Sequence, residues 1–133
     1  MLVRTIVPIA FSILAATAAP AQPAPDWSHA RRVDVNLSNF AFSPKTIHLR
    51  AGQPVLLHLT NVSSGGHDFT AKQFFAASVI RAQDRAAIRG GSVEVGKRRS
   101  VDVALVPRAG RYPLKCGHTL HKTFGMSGEI VVD

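Results

Sequence analysis

The chain has 133 residues, with 16 Lys and Arg against 8 Asp and Glu for a formal net charge of +8, and a single cysteine. That length suits one domain with a real core and gives no sign of a second. One cysteine excludes an internal disulfide and falls short of the thiolates an iron–sulfur cluster needs.

Met1 to Thr5 carries one positive charge at Arg4, an apolar run follows from Ile6 to Ala16, and small residues come next. The run is shorter than the ~20 residues a membrane span requires, so residues 1–21 read as a secretory signal peptide cleaved after Ala18 or Ala21. About 112 to 115 residues then remain, with no stable membrane insertion and with residues 22–31 as a mobile leader rich in Pro and Ala. Export points to the bacterial periplasm. In an oxidising compartment a lone Cys116 is a free thiol, an intermolecular bridge or a metal ligand.

From Arg32 to Asp133 the apolar residues alternate, which is the signature of half-buried strands. Val33, Val35 and Leu37 alternate in "RVDVNL", and Ile47 and Leu49 in "TIHLR". Val55, Leu57 and Leu59 share one face of "PVLLHLTNV", with His58 opposite. "SVEV", "SVDVALV", "RYPLKC" and "GEIVVD" continue the series, with Gly, Pro, Asn and Ser in the gaps. The pattern predicts an all-β, antiparallel β-sandwich or barrel. One stretch breaks it: "KQFFAASVIRAQDRAAIRGG" favours a short helix over about 74–89, ended by Gly90-Gly91.

The positive balance favours an acidic partner surface and rapid encounter with it. Arg31-Arg32 and Lys97-Arg98-Arg99 read as solvated turns, without the interleaved aromatics of a nucleic-acid platform, and no nucleic-acid partner is expected.

"CGHTLHKTFGM" gathers Cys116, His118, His121 and Met126 between two strands, so one loop can present a thiolate, an imidazole and a thioether. His67 follows the glycine turn of "NVSSGGHDF" and can come from a neighbouring bend. Two imidazoles, a thiolate and a thioether suit copper, and a bound ion must help ionise the thiol. Zinc accepts the same Cys and His set but prefers a harder fourth ligand. Phe69, Phe74, Phe75 and Phe124 form an apolar wall, and His29, His48 and His58 carry no assigned role.

These residues resemble the cupredoxins, small secreted blue-copper proteins of the plastocyanin and azurin type. The resemblance rests on "FAFSPKTIHLRAGQPVLLHLTNV" before His67, "AGRYPLKC", the C-x4-H-x4-GM loop and "SGEIVV". It implies a Greek-key sandwich over residues 32–133 and one copper ion, with His67, Cys116 and His121 as equatorial ligands and Met126 as the axial one. The implied function is one-electron transfer by a monomer, with no catalytic turnover of its own. The alternative is a copper-binding protein for resistance or delivery. Four features depart from the family pattern, one of them the added His118, for which the readings of ligand, gate and bystander stay open. Asp68 follows the first histidine where many members have Asn, Pro113 sits in the strand before Cys116 and suggests a bulge, and Leu120 precedes His121 where Gly is common. A carboxylate at 68 can accept backbone N–H groups as well as an amide does.

Overall fold

The computed structural model describes residue 2, residues 13–118 and residues 125–133. Ten strands form: β1 (Arg31–Ser38), β2 (Ala41–Ser43), β3 (Thr46–Leu49), β4 (Val55–Asn61), β5 (His67–Thr70), β6 (Val79–Ile80), β7 (Ser92–Val95), β8 (Ser100–Val106), β9 (Gly110–Lys115) and β10 (Ser127–Val132). They make two five-stranded sheets, ordered β2-β1-β4-β8-β6 and β3-β10-β9-β5-β7. Within the expected leader, Trp27–His29 forms a 3-10 turn capped by the Asp26 carboxylate.

The alternation resolves as expected. Val35, Leu37, Leu49, Val55, Leu57 and Leu59 are buried together with Val93, Val95, Val103 and Ile130. Fully burying such side chains contributes about 1.5–3 kcal/mol each, which drives the two sheets face to face. Phe69 anchors the middle, meeting Phe42 edge-on at 6.0 Å and Phe75 at 5.9 Å.

The sheets are not purely antiparallel. β1 runs parallel to β4, and β3 parallel to β10. Each parallel pair arises where the chain crosses to the other sheet before returning, because a tight hairpin can join only antiparallel neighbours. The sandwich and its all-β class stand.

The helix expected over 74–89 is broken into pieces: α1 (Lys72–Ala77), the edge strand β6 and a 3-10 turn at Ala82–Ala87. Tertiary hydrogen bonds override the local helix preference. Ser78 ends α1 with its hydroxyl donating to the Phe74 carbonyl at 2.7 Å. Val79 and Ile80 then pair with Val106 and Leu105 of β8. The Asp84 carboxylate accepts from the Arg81 guanidinium at 2.7 Å and the Ala104 amide at 2.9 Å, locking the turn to the sheet. Pro113 makes no bulge either, since the register of β9 with β10 runs unbroken from Gly110 to Lys115.

Candidate metal centre

The turn before His67 is set by Asn61 at the end of β4. Its amide nitrogen donates to the carbonyls of Gly65 at 2.7 Å and Val95 at 2.9 Å. Its side-chain oxygen accepts from the amide and hydroxyl of Ser63, at 2.9 and 2.8 Å. One buried side chain thereby folds the 62–66 loop and fastens it to β7. The sequence reading placed His67 in a loop after a turn; the structure makes it the first residue of β5, paired with Val95. All four residues of β5 are buried, so the ring is held by strand pairing.

Cys116 follows β9, and Met126 precedes β10. The neck of the loop between them is closed by the Cys116 amide, which donates to the Met126 carbonyl at 3.1 Å. Tyr112 holds the approach to Cys116 as a corner residue, its hydroxyl donating to the Arg108 carbonyl at 2.9 Å and its ring packed on Phe74 at 5.5 Å.

His67, Cys116 and Met126 are all buried, the first two completely. Cys116 Sγ lies 4.0 Å from His67 Nδ1. A first-row divalent metal at about 2.3 Å from sulfur and 2.0–2.1 Å from nitrogen holds such donors about 3.6–3.8 Å apart, so the pair fits an ion with only a small adjustment. His121 and Phe124 lie outside the described residues. Of the expected aromatic wall, Phe69, Phe74 and Phe75 are buried in the core cluster that also holds Cys116 and Met126.

Asp68 ties the two halves of the site together. Its Oδ1 accepts from the Gly117 amide at 2.7 Å and the Thr70 hydroxyl at 2.6 Å, and its own amide donates to Cys116 Sγ at 3.5 Å. The carboxylate does accept backbone N–H, as its place after the histidine suggested. A Cβ at Gly117 would sit 3.0 Å from Asp68 Oδ2, so a side chain there would crowd the carboxylate. His118 reaches the Glu94 carboxylate at 3.0 and 3.2 Å and Asp68 Oδ2 at 3.6 Å. Glu94 was not singled out from sequence, because only its cross-strand pairing with Asp68 brings it to the site.

Burial pushes the Cys116 thiol above its ordinary pKa, and the charges of Asp68 and Glu94 add to the rise. The amides of Asp68 and His118 pull against it by stabilising a thiolate. An ion at this position would have to displace the proton.

The family model of the cupredoxin-like domain matches residues 6–132. Among solved structures, a dithionite-reduced auracyanin of Roseiflexus castenholzii superposes with a TM-score of 0.58 at 18% identity, over 78% of this chain and 98% of that one. Auracyanin A of Chloroflexus aurantiacus, described as a "blue" copper protein, gives 0.52 at 19% over 77% and 99%. The multicopper oxidase McoA of Aquifex aeolicus gives 0.63 at 16%, over 84% of this chain but only 31% of that longer one. No protein with a curated functional description matches. At such identities the structural likenesses bear on the fold, while the match along nearly the whole sequence fixes the family: the chain is a member of the cupredoxin-like family.

Proposed function

We propose that the chain holds one copper ion through His67, Cys116, His121 and Met126 and carries single electrons in the periplasm, after a signal peptide over residues 1–21 has been removed. The observation that carries this reading is the meeting of Cys116 Sγ and His67 Nδ1 at 4.0 Å in a fully buried pole of the sandwich. Copper supplies a one-electron couple; the protein supplies a shell that does not rearrange. His67 is fixed by strand pairing, Cys116 by the neck bond to Met126, and the two are clamped by Asp68. Phe69 and Phe74 belong to the same apolar core as Cys116, and an apolar surround limits solvent access to the sulfur and tunes the site. The auracyanins offer a parallel on the same fold, and the chain's positive charge suits an acidic redox partner bound weakly through a small interface by a monomer.

The test is to add Cu(II) to the mature chain and record its visible spectrum. Strong thiolate-to-copper charge transfer, absent in Cys116→Ser, is the expected result. A colourless complex rules the reading out. Retention of copper through repeated reduction and reoxidation, against ready loss to a chelator, separates the electron carrier from a copper-delivery protein. Loss of both colour and copper retention in His121→Gly checks the fourth ligand from the C-x4-H spacing.

A further inference from the structure

We propose a second metal site, for a divalent cation of borderline hardness, formed by Asp68, Glu94 and His118 at the solvent side of the thiol centre.

Among the described residues, these three each bring one ligand atom to within 4.8 Å of the others. The donors are a buried carboxylate, an exposed carboxylate and a partly exposed imidazole, so the site is anchored on its inner side and open on its outer one. His118 Nε2 stands 3.0 Å from Glu94 Oε1 and 3.6 Å from Asp68 Oδ2. A tetrahedral ion with Zn–N and Zn–O bonds of about 2.0–2.1 Å has donor–donor edges of about 3.3–3.4 Å, between those two values.

Two independent observations favour a cation there. Asp68 and Glu94 are direct cross-strand partners in the β5–β7 register, and like charges in that relation repel. A chain with twice as many basic as acidic residues nevertheless directs His118, and no Lys or Arg among the described contacts, onto this carboxylate pair. Two carboxylates and a neutral imidazole also match the charge of a divalent ion, leaving a fourth position for water. Asp68 keeps Oδ1 for Gly117 and Thr70, so binding through Oδ2 would not undo the clamp. The two sites share no ligand atom, and the proposal therefore stands apart from the copper reading.

The experiment is calorimetric titration of Zn(II) into the full mature chain carrying Cys116→Ser, which removes the thiolate as a competing ligand, with chemical shifts of the Gly117 and Asp68 amides followed in parallel. One equivalent should bind and move both amides. Glu94→Gln and His118→Gln should each weaken it at least as much as losing an outer-shell partner does, about 10- to 100-fold. Both positions are partly or largely exposed, so these variants should fold. If Cys116→Ser does not fold, the wild-type chain saturated with Cu(I) takes its place. Absence of binding, or binding unchanged in both variants, overturns the proposal, and the former would make the cluster a plain hydrogen-bonded histidine–carboxylate contact. Zinc binding without any copper colour in the wild type would overturn only the electron-carrier reading.

Discussion

Asp68 and Gly117 are joined across the two bends of the site by a 2.7 Å hydrogen bond from the glycine amide to the carboxylate. The same oxygen takes the Thr70 hydroxyl, so this side chain adds to the β5–β9 pairing at Thr70 and Lys115 in fixing the strand that bears His67 against the loop that begins at Cys116. Asp68→Ala should cost the metal-free protein about 3 kcal/mol, because hydrogen bonds to a charged acceptor contribute about 1.5–3 kcal/mol each and both the Gly117 amide and the Thr70 hydroxyl would lose that acceptor. Asp68→Asn keeps an oxygen in place and should cost less than about 1 kcal/mol. In the copper-loaded protein, Asp68→Asn should raise the reduction potential, since a nearby anion favours the more positive oxidation state. Urea unfolding and voltammetry check the two halves. Equal stability losses in Ala and Asn variants would refute the clamp.

Asn61 makes four hydrogen bonds from a buried position, two as donor and two as acceptor. Asn61→Asp preserves the shape but points an acceptor oxygen at the carbonyls of Gly65 and Val95. The expected loss is about 3 kcal/mol or more, well above that of an ordinary surface change. Thermal unfolding of the metal-free chain measures it. A loss near zero would mean that the 62–66 loop is held by something other than this side chain.

The strands were legible because burial on one face forces a period of two, and Val35, Leu37, Val55, Leu57 and Leu59 are all where that period puts them. Strand β5 was not, since "HDFT" is buried at every position and has no alternation to read. The continuous helix was misjudged for a related reason. Propensity is local, whereas the bonds from Ile80, Arg81 and Asp84 to β8 are set by residues some twenty positions away. At the candidate metal centre, residue types and spacing singled out Cys116, Met126 and His67, and the fold buries all three, with His67 and Cys116 in contact. Glu94 carried no such mark, because a glutamate in "SVEV" looks like any outward strand residue until β7 pairs with β5.

Gly128 is the second residue of β10, just past the loop that follows Cys116, where the chain passes close to the backbone before β3. A Cβ there would lie 2.5 Å from the Lys45 carbonyl oxygen, the group that accepts the Glu129 amide at 3.0 Å. Backbone cannot yield as a flexible side chain does. Gly128→Ala should therefore cost about 2–3 kcal/mol and loosen the anchor of Met126. Gly65→Ala, with open space around its Cβ, should stay within about 0.5 kcal/mol. Paired chemical denaturation decides it, and comparable effects at both positions would contradict the close approach.

Cys116 links pH to stability in the metal-free protein. Its folded pKa is raised, by burial first and by the Asp68 and Glu94 charges next, while the unfolded thiol titrates near about 8.5. A raised folded pKa means that the neutral thiol's contribution is fully present below the unfolded value. It is lost as pH climbs from there through the folded pKa, because the unfolded chain gains by ionising first. The slope should approach about 1.4 kcal/mol per pH unit in that window, over and above whatever Lys and Tyr contribute. Cys116→Ser carries the same Lys and Tyr background and should lack this extra slope. Unfolding free energies of the two proteins between about pH 7 and pH 10 give the comparison, and parallel curves would show that the thiol is not held neutral by the fold. Copper should reverse the preference by taking the place of the proton, so its affinity should fall as the solution is made acidic. Competition with a chelator of known pH dependence reads that second trend.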